Sequence, residues 1–79
     1  MNYKIDLQRL THYDAIRTLE KELILSNLYK YDNIEIITGK SPELQGKLIK
    51  EVIEKYGFQW DIPPGNTGMI LVNEKHMFI

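Results

Sequence analysis

The apolar residues of this chain switch back and forth between period two and period 3.6, and no other feature narrows its fold as sharply. In "NYKIDL", Tyr3, Ile5 and Leu7 alternate with Lys4 and Asp6, the pattern of a short half-buried strand. Ala15, Ile16, Leu19, Leu23, Ile24 and Leu28 then recur at helical spacing, behind Thr11 as N-cap and Asp14 as its capping-box partner. This helix should end near Lys30, before the turn-forming "YDN". "IEII" (34–37) is a second strand, expected to lie between parallel neighbours and to be apolar on both faces.

Pro42 disfavours helical geometry in the residue before it, so Ser41 should cap a second helix with Pro42 at its first position. Leu44, Leu48, Val52 and Ile53 form its buried stripe, and Gly57 stops it. Glu43–Lys47, Lys50–Glu54 and Glu51–Lys55 are i,i+4 pairs on the outer face. "FQWDI" reads as a third strand with Phe58, Trp60 and Ile62 on one face, and "PPGNTG" as a turn leading to a fourth, "MILVNE". The short connection makes strands three and four an antiparallel hairpin. The helical connections make strands one to three parallel, through right-handed crossovers. The expected fold is therefore an α/β chain, β-α-β-α-β-β, built as an α+β two-layer sandwich: two helices on one face of a four-stranded mixed sheet.

Composition narrows the function. A chain of 79 residues makes one domain, taken here to span 1–79 with a core over about 4–73 and an apolar tail over 74–79. Ten Lys and Arg against eleven Asp and Glu argue against a grip on nucleic acid through bulk charge alone, and leave room for a local basic patch. With no cysteine there is no disulfide or thiolate metal site, and the two histidines, His12 and His76, stand apart, so no metal ligand set is assigned. No stretch reaches membrane-spanning length, and a cytoplasmic protein is the expectation.

Thr38-Gly39-Lys40-Ser41, between the second strand and the second helix, has the outline of a nucleotide-binding loop. A Walker A loop needs a glycine five residues before its Gly-Lys-Ser, and Ile34 stands there. The connection is also too tight to wrap a triphosphate. What the residues do support is a site for one phosphate. Gly39 can take positive φ, the helix N-terminus favours negative charge, and Lys40 adds an ammonium. The same residues also read as a plain strand-to-helix turn, with Gly39 for geometry and Ser41 for capping.

Taken together, "KIDLQRLTHYDAIRTLEKEL" (4–23) and "IEIITGKSPELQGKLIKEVI" (34–53) resemble the Smr, or small MutS-related, domain. Members of that family typically begin with a strand ending Leu-Asp-Leu-His-Gly, followed by a helix containing Glu-Ala. A second strand leads to His-Gly-x-Gly or Thr-Gly-x-Gly and another helix, and a glycine-containing turn and a Val/Leu-rich strand close the domain. Here Ile5-Asp6-Leu7 stands at the first motif, Asp14-Ala15 at Glu-Ala, and Thr38-Gly39-Lys40-Ser41 at the second motif. Gly65, Thr67-Gly68 and "MILV" stand at the closing segment. The resemblance runs from about Lys4 to Val72. It implies a fold like the C-terminal domain of translation initiation factor three and binding to DNA or RNA. It often implies endonuclease activity, with a divalent cation such as magnesium where the chain cuts. It also implies that the two motif loops lie side by side at the carboxyl ends of the first two strands, where parallel α/β sheets place ligands.

The sequence departs from the family pattern in two places. His-Gly of the first motif is Gln8-Arg9 here, and the last glycine of the second motif is Ser41. A glutamine amide does not titrate near neutral pH, whereas Arg9 can bind phosphate bidentately. The pair of changes reads as binding kept and catalysis weakened. Asp6 is the candidate catalytic acid, against a solvated strand-end residue or a partner for Arg9 or Lys40. Gln8, Arg9, Thr38, Gly39, Lys40, Ser41 and Lys47 are the candidate nucleic-acid contacts. For Lys47, as for Lys50, flanking glutamates favour a solvated face. His12, beside the site, reads as a surface residue. Phe58 and Trp60 read as core, not as a base-stacking platform. The alternative function is a protein-interaction module on the same fold, an adaptor or inhibitor, with a partner or a second copy held through the apolar tail Met77-Phe78-Ile79.

Overall fold

Side chains that alternate along a strand can only bury one set, and β1 (Asn2–Asp6) buries Ile5 while Lys4 and Asp6 stay exposed. The structure, a computed structural model, describes residues 2–25 and 33–73. After β1 come α1 (His12–Leu25), β2 (Asn33–Ile37) and α2 (Pro42–Leu48). A π-helical segment (Ile49–Ile53) continues α2, and β3 (Gln59–Asp61) and β4 (Met69–Asn73) close the described chain. The expected element order is present, as a mixed four-stranded sheet packed against the helices. The proposed end of α1 at Lys30 and the tail over 74–79 lie outside the described residues.

The strand order is β1-β2-β4-β3. β1 pairs parallel with β2, and β4 is antiparallel to both β2 and β3. β3 therefore runs in the same sense as β1 and β2, as expected, but it is not the neighbour of β2. The reason is chemical. Met69-Ile70-Leu71-Val72 is apolar on both faces and suits a central position, whereas three-residue β3 exposes Gln59 and Asp61 and suits an edge. β2 is accordingly not buried on both faces: Ile34 and Ile36 are buried, and Glu35 and Ile37 only half-buried.

The core lies between sheet and helices. Ile5 pairs across to Ile36, Ile36 to Ile70, and Ile34 to Val72, so these residues form rows on one face. Leu7, Ala15, Leu19, Leu44, Leu48, Val52 and Ile53 close over them, all buried. Each such aliphatic side chain contributes about 1.5–3 kcal/mol by burial, several times the few tenths of a surface ion pair. The core, not the charged helix face, sets the architecture.

Trp60 departs from expectation. It sits opposite buried Val72 on the helix side of the sheet, but on the edge strand, and keeps 39% exposure. Its indole N–H donates to Glu54 at 3.0 Å. Phe58, at 8%, is buried as expected.

The helix caps follow the sequence closely. Asp14 N–H donates to Thr11 Oγ1 at 3.1 Å, and Leu44 N–H to Ser41 Oγ at 3.3 Å, with Pro42 at the start of α2. At the other end Gly57 takes φ +83. Phe58 N–H reaches Ile53 O at 3.0 Å and Gly57 N–H reaches Glu54 O at 3.1 Å, the two bonds of a Schellman stop. The π-helical segment was not legible in the periodicity. Its i→i+5 bonding, Glu54 N–H to Ile49 O among them, shifts i and i+4 out of line. Among the described residues Glu43–Lys47 forms, at 3.9 Å, while Lys50–Glu54 and Glu51–Lys55 do not.

Candidate nucleic-acid interface

Three loops meet at one end of the sheet. β1 and β2 are parallel and in register, so their carboxyl ends, Asp6 and Ile37, lie side by side. Met69, the first residue of β4, pairs with Ile37, which brings residues 66–68 to the same end. Leu7 N–H extends the β1–β2 ladder to Ile37 O at 2.8 Å.

Gly39 lies at the junction. It holds φ +72, open to glycine at little cost. The Gln8 side chain lies on one side of it, with Nε2 3.4 Å from where a Cβ would stand. Gly68 approaches as well: a Cβ there would meet the Gly39 backbone at 3.3 Å. Thr38 and Gly39 both donate their N–H groups to Gly68 O, at 2.9 and 3.0 Å. The first and second motif loops therefore touch, and the closing turn locks onto the second.

The lock has a polar key that sequence reasoning missed. Gln45, on the inner face of α2 and only 7% exposed, donates from Nε2 to Thr38 Oγ1 at 2.9 Å and to Thr67 O at 2.8 Å. Thr38 Oγ1 donates in turn to Gly39 O at 2.8 Å, with Gly68 O at 3.2 Å as a second acceptor. The available signal was position: Gln45 stands between Leu44 and Leu48 on the stripe that faces the core, where a polar group needs partners.

The candidate residues divide by surroundings. Thr38 is buried and its hydroxyl is engaged within the fold, so its side chain braces the loop instead of facing out. Ser41 is engaged as the cap of α2. Pro42 has no N–H and the Gln45 N–H goes to Ser41 O, which leaves few free donors at this helix start. Asp6 Oδ1 accepts the Gln8 N–H at 3.0 Å; it pairs with its own turn, not with Arg9 or Lys40. Lys47 is held between Glu43, at 3.9 Å, and His12 Nδ1, at 3.4 Å, so it links α2 to the start of α1. Arg9 and Lys40 are exposed, and among the described residues neither side chain makes a hydrogen bond or ion pair. No group of three His, Cys, Asp or Glu side chains that could hold a metal ion occurs among the described residues. Nor is any helix there long and apolar enough to cross a membrane.

Set beside solved structures, the chain is similar to the Smr domain of Thermus thermophilus MutS2. The TM-score is 0.70 at 21% sequence identity, over 90% of this chain and 95% of that one. No protein-family model matches the chain, and no curated protein does. The fold is Smr-like.

Proposed function

We infer that this Smr-like domain binds nucleic acid through the backbone phosphates, at the paired loops around Gln8-Arg9 and Thr38–Ser41. The observation that carries the reading is the contact of Gln8 with Gly39, which joins the two motif loops and sets unpaired Arg9 and Lys40 on one end of the molecule. Phosphate contacts position a protein on a strand and need no base-specific chemistry. Two free cations make a small footprint, and Lys47 is a third with its charge partly spent on Glu43.

Titration of labelled single- and double-stranded DNA and RNA at low salt tests the reading. With two phosphates contacted, log K should fall with log salt at a slope of about −1.4 for single strands and −1.8 for duplex. Arg9→Ala and Lys40→Ala should each weaken binding and reduce the slope by nearly one. No binding to any of the four, or binding indifferent to both substitutions, sinks it.

Cutting is not part of this reading. Two observations weigh against a nuclease cation site: Asp6 belongs to no group of three His, Cys, Asp or Glu side chains among the described residues, and Gln8 replaces the family histidine with a group that moves no proton. Asp6→Asn keeps an acceptor for Gln8 and should leave binding intact. Magnesium-dependent cleavage by the wild type that vanished in Asp6→Asn would restore the nuclease.

A second reading, a protein-interaction module, draws on the open face of the sheet, where Ile37, Met69 and Leu71 are only half-buried. Light scattering that rises with concentration, in a chain that binds no nucleic acid, would favour it.

A further inference from the structure

Resting on the reading above, we propose that Tyr13 is a base-stacking platform beside the phosphate loops, and that the site therefore takes a single strand in preference to duplex. Tyr13 is 65% exposed, against 39% for Trp60 and 37% for Leu10. An exposed aromatic on a helix is ordinary; this one is restrained by a neighbouring guanidinium and follows closely on the first motif loop. Arg17 Nη1 donates to the Tyr13 hydroxyl at 2.9 Å, and its guanidinium carbon lies 5.5 Å from the ring centre. The guanidinium thus holds the hydroxyl end and lies toward one ring face, with most of the residue still open to solvent. A ring restrained in this way loses less freedom when a base stacks on its other face.

Position gives the ring its meaning. Tyr13 is in the first turn of α1, four residues after Arg9 and next to His12, which touches Lys47. We place the bases of a strand whose phosphates lie on Arg9 and Lys40 against this ring, on the α1 side of the first loop, where Leu10 and Tyr13 line the same depression. Trp60 is no rival. It pairs with Val72, which pairs with Ile34, toward the end of the sheet away from the loops, and its N–H is taken by Glu54.

The surroundings offer more to a flat base than to a phosphate. Leu10, Tyr13, Asp14, Arg17, Glu20 and Lys21 line one open depression on α1. Two acids face two bases there, so a phosphate gains nothing, while the flat ring and Leu10 offer apolar contact to a base face. In a duplex the bases are stacked on one another and unavailable; in a single strand every base has a free π-face.

Fluorescence anisotropy with a labelled single strand, in deoxy and ribo form, the matching duplex, and the same strand made abasic provides the test. Tyr13→Ala should weaken single-strand binding by about 5- to 150-fold, the range of one lost stacking contact. Duplex and abasic-strand binding should be unchanged. Tyr13→Phe keeps the ring and should bind the single strand much as the wild type does. If single-strand binding depends on Arg9 and Lys40 but is indifferent to Tyr13→Ala, as when the patch serves a protein instead, the platform is overturned and the phosphate reading stands. If Tyr13→Ala weakens duplex and single strand alike, the platform is again overturned. If the wild type binds no nucleic acid at all, both fall.

Discussion

Gln45 Nε2 lies 2.9 Å from Thr38 Oγ1, a hydrogen bond from the inner face of α2 to the end of β2. The same nitrogen reaches Thr67 O at 2.8 Å, so one side chain ties the second motif loop to the closing turn. Because Thr38 in turn donates to Gly39 O, the shape of the exposed loop is set from inside the molecule.

Gln45→Ala removes the donor and leaves buried Thr38 Oγ1 and Thr67 O short of a partner. It should cost about 1–3 kcal/mol, the penalty of a buried group left unsatisfied. Urea unfolding followed by the fluorescence of Trp60, the single tryptophan, reads this directly. A loss below about 0.5 kcal/mol would show that water replaces the amide without cost.

Two glycines should respond in opposite directions. Gly39 holds φ +72, so Gly39→Ala should destabilise by about 1–2 kcal/mol from backbone strain alone. Gly46 sits in α2 with nothing within 4 Å of an added Cβ, so Gly46→Ala should stabilise by about 0.4–1 kcal/mol. Midpoints in the same urea assay decide between these signs.

What was legible in the sequence was local. Thr11, Ser41, Pro42 and Gly57 act through their own backbone neighbourhood, and the structure finds each where chemistry puts it. The parallel sense of β1 and β2 followed from a helical crossover, and the closeness of the motif loops from the family resemblance. Long-range competition was not legible. β4 displaced β3 from beside β2 because its apolar run covers two faces, a comparison between strands that neither strand carries alone. Alternation points Trp60 to the core, yet an edge strand leaves one flank of every side chain uncovered. The role of Gln45 does not show locally, because its partners, Thr38 and Thr67, are distant in sequence.

Lys47 offers a check on which cations count. It already faces Glu43 and His12, so moving a phosphate onto it means breaking contacts that Arg9 and Lys40 do not have. Lys47→Ala should therefore reduce the salt slope by less than Lys40→Ala, which removes nearly one unit. Equal reductions in a salt titration would place Lys47 fully in the site.

The Tyr56 hydroxyl donates to Glu20 at 2.5 Å, joining the helix end to α1. That bond, with smaller help from burial, raises the Tyr56 pKa above its ordinary 10.0, while Lys55 works the other way. A tyrosine whose folded-state pKa is raised stabilises the fold in its protonated form. The contribution is complete below the unfolded value near 10 and disappears as pH climbs through the raised folded-state value. Thermal unfolding from pH 8 to 11 should lose stability more steeply in the wild type than in Tyr56→Phe. Parallel curves would show that the bond contributes nothing.

The loops that meet around Gly39 come from residues near 8, 39 and 67, segments separated by most of the chain. No contiguous peptide can hold that arrangement. Binding and global unfolding should thus share one denaturation curve, and a fragment that ends before Gly68 and β4 keeps Gln8 and Gly39 but loses the Gly68 carbonyl that accepts the Thr38 and Gly39 N–H groups.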